Sequence, residues 1–175
     1  MKLALPTGTL LVLVGPSGSG KSTFAGRHFA PELVLSSDAF RSRVAGDEAD
    51  QSATGQAFAL LHAALEERLA AGRLTVVDAT SVQGWARARL LDAARRHRRP
   101  SAVVALALPL AVCLARNAAR ADRRVPPDVV RRQHRAMRIS LTSLPDEGFD
   151  LVAVLADEAA VAAVEIASDA GGSGS

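Results

Sequence analysis

Residues 15–22 read Gly-Pro-Ser-Gly-Ser-Gly-Lys-Ser, and the apolar run Leu10-Leu11-Val12-Leu13-Val14 stands close before them. A glycine-rich turn that follows a strand and ends in Lys-Ser is a phosphate-binding loop in the context its chemistry needs. Gly15, Gly18 and Gly20 have no Cβ, so the turn can take positive φ. Its N–H groups, those of Ser17 and Ser19 included, can then converge on phosphate oxygens. Lys21 is placed to reach the β- and γ-phosphates, Ser22 carries the hydroxyl that ligates Mg²⁺, and Thr23 follows as part of the same loop. A helix opening at about Gly20 adds its positive N-terminal dipole. The segment therefore predicts ATP, or another nucleoside triphosphate, bound with Mg²⁺. The bland alternative, a flexible Gly/Ser linker, does not fit between two apolar segments. Lysine occurs only at Lys2 and Lys21, and arginine fills the other basic positions. A compact charge on a flexible stem is kept at the one place where a planar guanidinium would not serve.

A second constellation is Ser36-Ser37-Asp38-Ala39-Phe40-Arg41. In an open parallel sheet ligands gather at the carboxyl ends of strands, so Asp38 and Arg41 should face the loop. One helical turn apart, they share a face. The carboxylate can take a proton from an attacking hydroxyl, and the guanidinium can grip a phosphate of the acceptor. The structural alternative is that Asp38 caps the helix and pairs with Arg41. The run Leu74-Thr75-Val76-Val77-Asp78 has the form of a Walker B strand, with Asp78 near Mg²⁺ through a coordinated water. Thr80 and Ser81 follow at the strand end, where they can touch either substrate or cap the next helix. The polar stretch Gln51-Ser52-Ala53-Thr54-Gly55 can touch acceptor or metal water, and Gln51 is the acceptor-binding candidate.

Arg116, Arg120, Arg123 and Arg124 lie at i, i+4, i+7 and i+8, one face of a helix if it continues that far. P-loop kinases place a basic helical lid after the fourth strand, and its arginines neutralise charge on the transferred group. Arg116, Arg120 and Arg123 are accordingly donor-phosphate candidates; a solvated basic face is the alternative. His28, His62, His97 and His134 show no metal-ligand spacing.

These groups must be positioned by a regular frame. Strands are predicted at about 10–14, 33–36, 74–78, 102–108 and 150–155. Helices are predicted at about 21–29, 38–45, 55–71, 84–98, 110–120, 128–139 and 157–167. Phe58, Leu61 and Leu65 recur at helical spacing, and Pro126-Pro127-Asp128 suits a helix start. Strands alternating with helices predict an α/β fold, a parallel sheet with helices on both faces. The chain of 175 residues reads as one kinase-like domain over 1–170, with a lid at about 110–139 and a flexible Gly/Ser tail or linker at 171–175.

Composition excludes several classes. The single cysteine, Cys113, forbids an internal disulfide, suits a reducing cytoplasm, and sits among Leu110, Val112 and Leu114 as a buried thiol would. The longest apolar stretch, 102–115, is too short to span a bilayer and contains Pro109, so no membrane is expected. Charge is segregated. Residues 87–138 hold fourteen arginines against Asp92, Asp122 and Asp128, whereas residues 139–175 hold seven acids and no base. The basic stretch is the natural place to meet polyphosphate or a nucleic-acid backbone.

The P-loop, Ser37-Asp38-x-x-Arg41, Val77-Asp78-Ala79-Thr80 and the arginine lid together resemble the 5′-hydroxyl polynucleotide kinase family. The likeness is closest to the kinase domain of bacterial polynucleotide kinase-phosphatases of RNA end repair. It runs from about Leu10 to Ala167 and includes Asp47-Glu48-x-Asp50-Gln51-x-x-Thr54-Gly55. The resemblance implies the P-loop kinase fold, a five-stranded sheet in the order 2-3-1-4-5. It implies that Lys21 and Ser22 serve ATP and Mg²⁺ and that Asp38 is the general base on a 5′-OH. Arg41 would grip a phosphate of the acceptor strand, and Arg116 and Arg120 would clamp the donor. Its partners would be 5′-OH RNA or DNA ends, with phosphatase and ligase-like domains following the kinase in a full-length protein. Two rivals keep the fold: a small-molecule kinase acting on a sugar, antibiotic or nucleotide sugar, and a nucleotide-dependent switch that hydrolyses ATP without an acceptor.

Overall fold

The computed structural model describes residues 1–44, 51–121 and 124–168. Five parallel strands form its centre: β2 (Leu10–Val14), β3 (Val34–Ser36), β4 (Thr75–Asp78), β5 (Ser101–Leu106) and β6 (Leu151–Leu155). Their spatial order is β3-β4-β2-β5-β6. With the five counted in chain order this is 2-3-1-4-5, as the family resemblance implied. The central strands β2, β4 and β5 are buried along their whole length, which is why they read as unbroken apolar runs rather than alternating ones.

Strand alternation splits that apolar surface into two cores. Leu10, Val12 and Val14 face a layer containing Leu61, Leu65 and Leu69 of α3 (Gln51–Ala70), Leu90 and Leu91 of α4 (Gly84–Arg96), and Met137 of α6 (Pro127–Ser143). Leu11 and Leu13 face the other layer, built on Phe24 and Ala25 of α1 (Lys21–His28). α2 (Ser37–Val44) precedes α3 in the connection from β3 to β4, and α5 (Leu110–Ala118) precedes α6 in the connection from β5 to β6. Helices cover both faces, as expected.

Element bounds fall within a few residues of the sequence-based ones, except at the end. The helix predicted over 157–167 is a five-residue helix, α7 (Glu158–Ala162), followed by a strand, β7 (Glu165–Ser168). That strand pairs in parallel with β1 (Lys2–Leu5), for which no strand was predicted. Ala-rich composition favours a helix locally, but the pairing with β1, Leu3 against Ile166, decides the outcome.

Cys113 is fully buried, and desolvation pushes its thiol pKa up. No helix among the described residues is long and apolar enough to cross a membrane.

Candidate functional site

The loop between β2 and α1 wraps the carboxyl end of the central strand. Gly18 and Gly20 both adopt positive φ, +81° and +93°, the conformation that glycine takes without steric cost. The loop is fixed from several sides. Gly15 donates its N–H to the carbonyl of Thr80 at 3.1 Å, tying it to the segment after β4. The backbone of Gly18 lies against α5 so closely that an added Cβ would stand 2.1 Å from the Cys113 carbonyl oxygen. Ser17 donates its N–H to Oε1 of Gln133, on α6, at 2.8 Å. Ser19 is fully buried, and its hydroxyl has no hydrogen-bond partner among the described residues.

The first residues of α1 carry the charge and hydroxyl. Lys21 folds back over the loop, its ammonium donating to the carbonyls of Gly15 (2.8 Å) and Pro16 (3.1 Å). Withdrawal from water draws its pKa down to about 8, against the pull of the Asp78 and Asp38 carboxylates. Ser22 donates its hydroxyl to Oδ2 of Asp78 at 2.7 Å. The last residue of β4 is thereby brought to the first turn of α1. A hydroxyl and a carboxylate joined in this way are hard oxygen donors of the kind a Mg²⁺–phosphate complex takes. The sequence expectation for Ser22 and Asp78 placed them at one site, and the structure brings them together.

Asp38 and Arg41 stand on α2 directly after β3. Arg41 donates through Nη2 to Oδ1 of Asp38 at 2.5 Å, and both remain partly accessible. The helix pairing weighed from spacing is therefore present. It does not remove the pair from the site, since both side chains line the same cleft as Lys21, Ser22, Thr23 and Asp78. Nε of Arg41 is buried without a hydrogen-bond partner.

That cleft, with a volume of about 340 Å³, is closed on its far side by Arg120, Arg124, Val129 and Gln133 from α6 and the segment between α5 and α6. Thr80 lines it as well. Arg116 does not. Its guanidinium pairs with Glu158 of α7, and it sits at the rim beside Gly20, where a Cβ would meet its Nη1 at 3.2 Å. Arg123, the segment 45–50, the side chain of Gln51 and the 171–175 tail lie outside the described residues.

The basic stretch is not one surface. Arg87 is completely buried and bonded to Glu147, Arg96 pairs with Glu66, Arg132 pairs with Asp128, and Arg99 donates to the carbonyls of Leu69 and Ala70. Arg124, read from sequence as part of the basic lid series, lines the cleft, and so does Gln133, to which the sequence reading assigned no binding role. Arg124 closes the arginine series at 116–124. Gln133 belongs to no motif, and its contact with Ser17 spans 116 residues of sequence.

What this geometry can do is hold a polyphosphate on loop N–H groups and Lys21. A carboxylate and a guanidinium then stand within the same cavity to meet a second substrate.

The family described as AAA domain is matched by residues 10–144. No curated protein matches the sequence. Among solved structures, the fold is similar to a chain in the Pnkp1/Rnl/Hen1 RNA repair complex. That match has 20% identity and a TM-score of 0.66, and covers 81% of this chain and 47% of that one. This chain thus spans about half the length of the RNA repair protein. A putative kinase from Chloroflexus aurantiacus matches at 14% identity and TM-score 0.63, covering 86% and 85% of the two chains. The Mycobacterium tuberculosis APS kinase CysC matches at 17% identity and TM-score 0.53, covering 87% and 90%. At such identities the likeness establishes the shared fold.

Proposed function

The chain belongs to the AAA domain family, and we propose that it is an ATP-dependent polynucleotide kinase acting on the 5′-hydroxyl of RNA or DNA ends. Its kinase-like P-loop fold is that of a phosphotransferase. The observation that carries the finer reading is the Asp38–Arg41 pair lining one cleft with Lys21, Ser22 and Asp78. A carboxylate could equally activate water, but a guanidinium placed beside it to grip a second phosphate has no task in a lone hydrolytic site. The further arginines Arg120 and Arg124 suit a cleft filled with phosphates from both donor and acceptor.

Asp38 accepts the proton of the 5′-hydroxyl as that oxygen attacks the γ-phosphorus. The new bond is 5′-oxygen to phosphorus; the bond that breaks joins phosphorus to the β–γ bridging oxygen, and ADP leaves. Arg41 holds the phosphate 3′ to the attacking sugar, while Lys21, Arg120 and Arg124 balance charge on the transferred group. Arg116 is the further donor-phosphate candidate, beside Gly20. Ser22 and Asp78 are the residues that would hold Mg²⁺, which when bound neutralises charge on the β- and γ-phosphates. The work is positioning and electrostatics. Phosphatase and ligase-like domains would continue the same end-healing chemistry in a longer protein.

The test is transfer from γ-labelled ATP to an oligonucleotide bearing a 5′-OH, beside the same strand with a 5′-phosphate and a panel of small hydroxyl compounds. Label on the first strand alone is expected. Asp38→Ala should abolish that transfer and leave ATP binding nearly intact. Label on a small hydroxyl compound alone would replace the acceptor by a small molecule, and ATP hydrolysis indifferent to every acceptor would make the chain a switch.

A further inference from the structure

A second cavity, of about 290 Å³, opens between α3 and α4, and Ala79 after β4 lines both it and the phosphate cleft. Its walls include Phe58, Leu61 and His62 of α3, and Ser81, Trp85 and Arg89 around the start of α4. The chain has only six aromatic residues, one Trp and five Phe. Phe24, Phe29 and Phe149 are buried in the aliphatic core and Phe40 packs against it. The remaining two, Trp85 and Phe58, stand at this cavity and are 67% and 40% exposed. Single exposed apolar side chains are ordinary, but two exposed aromatics lining one cavity are the make-up of a ligand groove.

The rim is polar in a way that suits a planar heterocycle. His62 is pulled below its usual pKa by burial, with the nearby Arg89 and Arg96 charges adding to this and Glu66 opposing it. At neutral pH it is therefore an uncharged ring with one donor and one acceptor. Arg89 makes no ion pair among the described residues. Ala79 and the residues around it set the two cavities side by side at the end of β4.

Resting on the reading of the cleft as a polynucleotide 5′-kinase site, we infer that this cavity receives an unpaired nucleobase of the acceptor strand. The base stacks on Trp85, and His62 and Arg89 meet its edge. Stacking on an aromatic face tolerates any base, which fits an enzyme that acts on ends rather than on sequences. It also makes the site a gauge of single-stranded character, because a base still paired in a duplex cannot enter.

Trp85 is the only tryptophan, so its fluorescence reports this site alone. The experiment compares a 5′-OH hexanucleotide with the same strand lacking its first three bases, as ligands and as acceptors. The intact strand should quench Trp85, and the abasic strand should not. Trp85→Ala, an exposed position whose change leaves the core untouched, should raise KM for the intact strand on the order of tenfold with kcat within about twofold. Trp85→Phe should recover most of that loss, and removing the bases should cost the Trp85→Ala variant no further KM. Equal KM values for intact and abasic strands with the unaltered protein, or a Trp85→Ala variant with unchanged KM, would overturn the inference while 5′-kinase activity stood. Absence of transfer to any 5′-OH strand would instead remove the reading beneath it. An indole insensitive to the strand but quenched by a protein partner would also overturn it, marking a docking surface.

Discussion

Gln133, on α6, accepts the backbone N–H of Ser17 at 2.8 Å, so a side chain from a distant helix takes up one of the donors of the phosphate-binding loop. A polyphosphate entering the cleft competes for that N–H. The amide can respond by rotating, turning its NH₂ toward the phosphate and becoming a second donor. A carboxylate at the same place cannot. Gln133→Glu should weaken ATP binding by roughly tenfold or more, since it sets an anion against the phosphates. Gln133→Ala should change it by less than about threefold, the scale of one neutral hydrogen bond exchanged for water. Titration calorimetry with ATP separates the two, and equal affinities for the Glu variant and the unaltered protein would show that Gln133 does not meet the nucleotide.

Lys21 gives a pH-dependent signature. Its pKa stands near 8 in the folded chain against 10.5 in the unfolded one. Below pH 8 the ammonium is charged in both states, and the cost of holding it away from water is felt in full. Between about pH 8 and 10.5 the folded state gives up the proton while the unfolded state keeps it, so this group's destabilisation is progressively relieved. Bound phosphates reverse the shift by favouring the charged form. Binding of ATP should therefore take up protons at pH 8.5 and draw few at pH 7 through this residue. Calorimetry in buffers of different ionisation enthalpy measures the uptake, and Lys21→Met should abolish it. Proton release at pH 8.5 would contradict the assigned contact.

Gly18 and Gly26 should respond in opposite directions to the same substitution. At Gly18 the backbone has φ +81°, and a Cβ would stand 2.1 Å from the Cys113 carbonyl oxygen, a rigid backbone atom. Gly18→Ala must push the loop off α5, costing about 1–3 kcal/mol and disordering the phosphate cradle. Gly26 lies within α1, and a Cβ there meets nothing within 4 Å. Gly26→Ala should stabilise by about 0.5–1 kcal/mol with ATP affinity unchanged. Urea unfolding curves and ATP binding on both variants check the contrast. A Gly18→Ala variant as stable as the parent would mean that α5 yields freely.

Legibility in the sequence followed the range of the interactions. The loop at 15–22, the central strands and the helices α1 to α6 are set by local pattern, and their bounds fell close to expectation. Ser22 and Asp78, 56 residues apart, were still legible because each belongs to a motif with its own context. The β1–β7 pairing was not: Glu165-Ile166-Ala167 follows an alanine-rich helix and gains strand character only from a partner at the other end of the chain. Gln133 carries no local signal, and Arg116 has a partner that spacing could not show. It belongs to the arginine series, and in the structure it pairs with Glu158 of α7 beside Gly20.

Arg87 was indistinguishable in sequence from its solvent-facing neighbours, and it supports the last prediction. Its side chain is fully buried. Nε donates to Oε2 of Glu147 at 2.7 Å, Nη2 to Oε1 of the same carboxylate, and Nη1 to the carbonyl of Ser81 at 2.8 Å. Ser81 itself is held at φ +44°, a strained conformation for a residue with a side chain. The guanidinium therefore clamps the segment after β4, in which Thr80 lines the cleft and accepts the Gly15 N–H. Arg87→Ala empties a buried site and leaves the partly exposed Glu147 carboxylate without its partner, and should cost about 2–4 kcal/mol. Arg87→Met combined with Glu147→Leu removes both charges while keeping volume and should recover most of that loss. Stability and catalysis should then part company. The double variant folds, but its Ser81 carbonyl has lost its anchor, so Thr80 and Gly15 are held less firmly and KM for ATP rises. Urea unfolding with steady-state kinetics measures both quantities. A double variant as unstable as Arg87→Ala would mean that the fork is needed for packing itself, and unchanged KM in a stable double variant would uncouple this buried pair from the phosphate loop.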